Sequence, residues 1–229
     1  WTTSITLVNL GKMPSSFQLS FLGSRGFREA WPISLTAPGA TIINRSVNAI
    51  LEPGASIEVQ TRGDSEKMTR GYAVLSIFDG PRVGATARLQ RTVNGVAETA
   101  FTVPLSPEFE GKSNIPVSFG ELDSTELVLV SDTSSTVVDL IFRDLAGKEV
   151  LADSLTFGDL SQMVVSLGTR YPQLKGTRGT LEWSVSFPGA DIYEDLTFSA
   201  VALGGMSSGK VAVVPAMTLP ENQGKKSQH

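Results

Sequence analysis

The stretch Ser16-Phe17-Gln18-Leu19-Ser20-Phe21 puts Phe17, Leu19 and Phe21 on one side of an extended chain and Ser16, Gln18 and Ser20 on the other. Successive side chains of a strand point to opposite faces, so a two-residue period predicts a strand half-buried against a core. Val137 to Phe142 repeats the pattern, with Val138, Leu140 and Phe142 on one face, and Ile57-Glu58-Val59-Gln60 alternates as well. Helical periodicity is nearly absent.

The two alternating stretches belong to a larger repetition. Thr3-Ser4-Ile5-Thr6-Leu7-Val8-Asn9 returns as Thr125-Glu126-Leu127-Val128-Leu129-Val130-Ser131. Phe21 and Gly26 return as Phe142 and Gly147, Arg70-Gly71 as Arg178-Gly179, Phe78 and Gly80 as Phe187 and Gly189, and Val103-Pro104 as Val214-Pro215. The spacing, about 110–120 residues, is far longer than the ~20–50 of a solenoid unit and fits a duplicated domain. Turn signals divide each copy into short segments. Asn94-Gly95 between two apolar-rich runs predicts a tight hairpin. Glu52-Pro53-Gly54 predicts a type II turn, with Pro at its second and Gly at its third position. Strand-length segments at ~8–12-residue spacing predict antiparallel sandwiches.

The expected architecture is all-β: two tandem immunoglobulin-like antiparallel β-sandwich domains. The first runs over 1–106, a linker over 107–114, the second over 115–220, and a polar, disordered tail over 221–229. A one-turn helix is expected at Tyr171-Pro172-Gln173-Leu174, where the chain crosses between sheets. Ile115 to Phe119 forms a strand that the first copy lacks, because the chain starts at Trp1. We expect an equivalent strand to have been trimmed there, leaving an unpaired edge near Trp1.

Composition narrows the function. The 229 residues are 41% hydrophobic and 18% charged, with 19 basic and 23 acidic residues and a net charge of −4. No basic run provides the electrostatic footprint of a nucleic-acid binder. No apolar stretch reaches the ~18 residues of a membrane-spanning helix. The chain has no cysteine, and its one histidine is the terminal His229. That removes disulfides, Ser-His or Cys-His nucleophiles and zinc held by His or Cys. No glycine loop carries the Lys-Ser/Thr ending of a phosphate cradle. No cofactor is expected.

The pattern Trp1-Thr2-Thr3, Leu7-Val8-Asn9, an alternating strand ending in Phe21, Leu51-Glu52-Pro53-Gly54-Ala55-Ser56 and Arg70-Gly71-Tyr72-Ala73 resembles tandem β-sandwich modules of secreted proteins of soil bacteria, notably acidobacteria. Phe142-Arg143-Asp144, Gly147, Tyr171-Pro172 and Arg178-Gly179-Thr180-Leu181-Glu182 carry the likeness in the second copy. The resemblance implies export to the bacterial exterior or cell surface and an accessory role. It brings no catalytic residue with it.

Two sets of residues are candidates for a site. Asp191, Glu194 and Asp195 form the densest acidic cluster, a set of hard oxygen ligands that suits Ca²⁺. The corresponding first-copy loop, Phe78 to Arg82, lacks such a cluster. Trp31, beside Pro32, and Tyr193, in the acidic loop, are candidate platforms for stacking on a glycan ring. The expected function is therefore structural or adhesive and non-catalytic, with a protein partner or self-association through sandwich surfaces and edges. The rival readings are a carbohydrate-binding module using Trp31 or Tyr193, and a carboxylate-dependent hydrolase using the acidic cluster.

Overall fold

Where the sequence alternates, the chain is strand. The computed structural model describes residues 1–26, 33–35, 41–43, 46–61, 71–105, 112–118, 124–131, 135–158, 162–189, 198–205, 211–214 and 217–218. In the first half the strands are β1 (Thr2–Asn9), β2 (Ser15–Gly23), β3 (Ile33–Leu35), β4 (Thr41–Ile43), β5 (Ser46–Leu51), β6 (Ser56–Thr61), β7 (Gly71–Asp79), β8 (Val83–Val93) and β9 (Val96–Pro104). The second half has β10 (Lys112–Ser118), β11 (Ser124–Ser131), β12 (Val137–Asp144), β13 (Glu149–Thr156), β14 (Gln162–Ser166), β15 (Arg178–Ser186), β16 (Phe198–Gly205), β17 (Val211–Val214) and β18 (Met217–Thr218). Helix α1 (Leu167–Arg170) and a single 3-10 turn, Pro172–Leu174, stand between β14 and β15. The all-β expectation holds, and the helical turn falls where the sequence put it.

The described strands form four antiparallel sheets. Residues of the first half form β3-β6-β1-β8-β9 and β4-β5-β2-β7, and those of the second form β14-β11-β16-β17 and β13-β12-β15-β10-β18. Each half has its own buried cluster. One gathers Ile5, Leu7, Phe17, Leu19, Phe21, Val47, Ile57 and Val59. The other gathers Leu127, Leu129, Val138, Leu140, Phe142, Leu181 and Trp183. The alternating strands β2 and β12 feed these clusters from inside their sheets. β2 lies between β5 and β7, and β12 between β13 and β15. Their apolar faces are buried because neighbours shield both flanks, which burial of large side chains requires.

Turn chemistry sets the registers. Asn94 (φ 51°) and Gly95 (φ 79°) both lie in the left-handed region, as a type I′ hairpin demands, and they join β8 to β9. The amide of Ala55 donates to the Glu52 carbonyl at 2.9 Å, closing the turn between β5 and β6. Asn9 is a buried polar node at the end of β1. Its side-chain amide donates to the carbonyls of Met13 (2.7 Å) and Leu51 (2.8 Å), and its side-chain oxygen accepts from the Gly11 amide (2.8 Å). A buried amide so bonded fixes two loops at once, since each unmade bond would leave a costly unsatisfied group.

Three expectations change. Lys112, Ser113 and Asn114 were expected in the linker but open β10, paired with Ser184, Trp183 and Glu182 of β15. Gly204 and Gly205 open the run Gly204-Gly205-Met206-Ser207-Ser208-Gly209, which reads from the sequence as the loop of the last hairpin, but they end β16, paired with Ala212 and Val211. Trp1 does not mark an open edge. The strand that follows it, β1, is paired on one side with β6 and on the other with β8. Among the described residues the sheet-terminal strands of the first half are β3, β9, β4 and β7. Residues 107–111 and the tail 221–229 lie outside the described residues.

Leu140 is fully buried at the centre of β12. Leu140→Ala is expected to lower unfolding stability by about 2–5 kcal/mol, whereas Leu145→Ala, at an exposed turn, should change it by less than about 0.5 kcal/mol. Urea unfolding of both variants checks this, and equal effects would contradict the assigned core.

Candidate functional site

The residues singled out by the sequence, Trp31, Tyr193, Asp191, Glu194 and Asp195, lie outside the described residues. Among the described residues no three His, Asp or Glu side chains converge on a common point. No helix among them is long and apolar enough to cross a membrane.

What the described residues present is an exposed strand. Among the described residues β7 pairs with β2 alone and ends its sheet. Its register with β2 sets Ile77 opposite Phe17, Leu75 opposite Leu19 and Ala73 opposite Phe21. Directly opposed residues share a face, so Ala73, Leu75 and Ile77 turn towards the core. They are poorly covered there. Ile77 is 40% exposed, Leu75 is half-buried and Ala73 is exposed. A register shift between Ser16 and Phe17 adds a bulge beside Phe78, which is 66% exposed, and Val74 on the outer face is 41% exposed. From Gly71 to Phe78 the strand carries no charge. Apolar side chains thus reach water on both faces of an uncharged edge, an arrangement that natural edges generally avoid.

β15 shows the same strand position with its flank closed. Its register with β12 sets Trp183 opposite Leu140 and Leu181 opposite Phe142. These residues are 3% and 0% exposed. The difference is β10, which pairs with the free side of β15 and places Ile115 opposite Leu181 and Val117 opposite Gly179. Val117 is buried. Gly179 is required at its place, because a Cβ would collide with the backbone carbonyl of Arg143 on β12. At the near end of β7, the Gln162 side-chain amide donates to the Gly71 carbonyl at 2.9 Å, and the Gln162 backbone amide donates to the Ser24 carbonyl at 3.0 Å. These bonds tie the two halves together and engage the first residue of the edge.

The second described feature is a polar trio that closes the far flank of the second-half sheet. Asp153 on β13 lies opposite Leu140, so its carboxylate belongs to the core-facing side of an edge strand. Tyr171 donates its hydroxyl to the Asp153 carboxylate at 2.8 Å, and Arg170 donates through Nε (3.1 Å) and Nη2 (3.0 Å). The Arg170 guanidinium sits 5.6 Å from the centroid of the Tyr171 ring, and that ring meets Phe142 edge-on at 4.9 Å. Burial tends to raise the Asp153 pKa, but the bonds from Tyr171, Arg170 and the Ser154 amide outweigh it, leaving the carboxyl below its ordinary value. Burial and the bond to Asp153 push the Tyr171 hydroxyl up to about 12. Each group is held in one protonation state across neutral pH. The trio therefore fastens the α1 crossover to β13 and offers no proton to exchange at neutral pH.

A shallow recess between Val117, Phe142, Leu174, Thr177 and Gly179 measures about 30 Å³. That is the room of about one water molecule, far below the ~300–1,000 Å³ of a small-molecule site. The sequence reading named edges as binding surfaces but did not name β7. Its signal was present in the run Ala73-Val74-Leu75, where a solvent-facing edge would carry a charge.

No protein-family model matches the chain, and no curated protein and no solved structure matches it either.

The trio predicts an alkaline limb in stability. The Tyr171 pKa is raised from 10.0 to about 12 on folding. Its contribution is complete below pH 10, the unfolded value, and is lost as pH climbs towards 12. The lowered Asp153 contributes above its unfolded value of 3.8 and loses that contribution as pH falls below it. Tyr171→Phe should cost about 1 kcal/mol at pH 7 and flatten the decline between pH 10 and 12. Guanidinium unfolding across that range decides it, and an unchanged decline in the variant would remove Tyr171 as its source.

Proposed function

We propose that the chain is a non-catalytic structural or adhesive protein, secreted by or displayed on a bacterial cell, that works by docking its sandwich surfaces to a protein partner. In this reading it is built of two tandem immunoglobulin-like domains. The second begins at β10, so its boundary moves from 115 to 112. The likeness to tandem sandwich modules of secreted soil-bacterial proteins supports export. The observation that carries the docking role is the uncharged β7 edge with Val74, Ile77 and Phe78 exposed. A strand edge offers a row of main-chain donors and acceptors and takes a partner by extending its sheet. The apolar side chains add area that water leaves on contact.

The expected outcome is recovery of the protein outside the cytoplasm when bacteria expressing its complete gene are fractionated, together with retention of the purified chain on the surface of those cells. Phe78→Ser, at an exposed bulge, should cut that retention about tenfold, a loss of about 1.4 kcal/mol, with little change in thermal midpoint. Strong signals on a glycan array that survive Phe78→Ser would favour the carbohydrate-binding reading. Turnover of chromogenic glycosides would favour the hydrolase.

A further inference from the structure

The two halves meet at both ends of one sheet. In β14-β11-β16-β17 the terminal strands are β14 and β17. β14 begins at Gln162, which bonds to the first half, and β17 lies against β9, the terminal strand of β3-β6-β1-β8-β9. Four strands at ~4.8 Å spacing set these contacts about 14 Å apart. One contact leaves two sandwiches free to swing about it. A second, that far away, leaves only rotation about the line joining them. From this arrangement we infer that the two halves move as one rigid body, and that Gln162 is the latch that holds the angle between them. The inference goes beyond the docking role and needs no partner.

Gln162 reaches the first half through three bonds. Its backbone amide, turned away from β11, donates to the Ser24 carbonyl at 3.0 Å. Its side-chain amide donates to the Gly71 carbonyl at 2.9 Å, and its side-chain oxygen accepts from the Ser24 hydroxyl at 3.4 Å. Ser24 follows β2 and Gly71 opens β7, and the two strands end side by side, with Gly23 opposite Gly71. One residue therefore grips both strands of that ladder, and this opposes the remaining rotation. The Ser24 carbonyl is itself held in a turn, closed by the Gly26 amide on the Gly23 carbonyl at 2.9 Å. The side-chain bonds are partly shielded from water, so losing one leaves a polar group poorly satisfied. Domains of one chain generally move relative to each other unless their interface is large and apolar, so a fixed angle needs a specific cause of this kind.

The repeat shows that the latch is added to the scaffold. Gln162 pairs with Val130 on β11 as Ser56 pairs with Val8 on β1. Val8 and Val130 are equivalent positions of the two copies, so Ser56 is the counterpart of Gln162. It is exposed, and its side chain is too short to reach as Gln162 does. Counting from Phe21 and Phe142, the counterpart of Ser24 is Leu145, which is 81% exposed. Both residues whose side chains make the latch thus stand where the copies differ, and both counterparts face water. The duplicated glycine, Gly71, contributes only its backbone carbonyl.

Amide exchange and residual dipolar couplings on the intact chain test this. β14 is terminal in its sheet, so protection of the Gln162 backbone amide reports its contact with Ser24. In the wild type that amide should be protected, and couplings from the two halves should fit one alignment tensor. Gln162→Ala removes both side-chain bonds and should speed backbone exchange at that position about tenfold, with separate tensors for the halves. Gln162→Glu, which sets a carboxylate against the Gly71 carbonyl, should do at least as much. Ser56→Ala should change neither reading. Amides of Leu127 and Leu129 in β11 should stay protected throughout. Fast exchange at Gln162 or two tensors in the wild type overturns the rigid pair, whatever the variants do. One tensor kept in both Gln162 variants overturns the latch. So does protection lost across β11 as well, since Gln162 would then be supporting its own sheet.

Discussion

Burial of one alternating face, that of β2 in the first half and β12 in the second, is the constraint on which the rest of the structure depends. A strand with three large apolar side chains in a row stabilises a fold only when both flanks and the opposite sheet exclude water from them. Each such side chain contributes about 1.5–3 kcal/mol when fully buried and little when it is not. β12 meets the condition. Val138, Leu140 and Phe142 are buried between β13 and β15 and beneath Leu127 and Leu129. β2 meets it for Phe17, Leu19 and Phe21 by the same means. Around both strands, the elements that differ between the halves are the ones that finish or leave unfinished the outer flanks.

The flanks of the second half are finished in two ways. On the β13 side a carboxylate occupies a core-facing position, and Arg170 and Tyr171 from the crossover satisfy it, so the edge ends in a bonded, charged group. On the β15 side a further strand covers the core. Charge and cover are the usual devices by which a sheet edge avoids indiscriminate pairing. β7 has neither from Ala73 to Phe78 among the described residues. Its bulge beside Phe78 turns one aromatic ring outward, whereas the counterpart ring, Phe187, packs against the second core. Val74, Ile77 and Phe78 thus bring three exposed apolar side chains onto one strand, while other exposed ones, such as Leu10, Ile50, Val96 and Leu145, are scattered over turns and other strands.

Much of this was legible in the sequence, for identifiable reasons. Period-two alternation in Ser16–Phe21 and Val137–Phe142 reports burial directly, because the pleat forces it. Asn94-Gly95 reports a hairpin because few residue pairs accept two left-handed conformations in succession. Trp183, alternating with Leu181 and Val185, carries the same signal and is buried in the core. What stayed hidden depends on partners distant in sequence. Nothing in Lys112-Ser113-Asn114 distinguishes a linker from a strand until β15 is placed beside it. The unpaired edge expected near Trp1 is not there, because β1 is held between β6 and β8, and β10 joins the other sheet from β11, the strand it precedes. Trp31, Tyr193 and the acidic residues Asp191, Glu194 and Asp195 were chosen by residue type alone, and they fall outside the described residues.

Magnitudes constrain what such an edge can do. Val74, Ile77 and Phe78 are already partly covered, so sealing them yields less than the ~1.5–3 kcal/mol per side chain of full burial. Association costs an estimated 4–15 kcal/mol in lost motion before any surplus appears as affinity. Three half-exposed side chains cannot meet that alone. The main-chain ladder must contribute, at about 0.5–1.5 kcal/mol per hydrogen bond. The sum describes a weak, reversible contact for a single edge in solution. It becomes a firm one where many copies are displayed together, because each further engagement is then intramolecular and draws on a high effective concentration. An edge of this strength suits a molecule held in an array, where tight pairing of single copies would lock wrong partners in place and multivalent contact selects the right one.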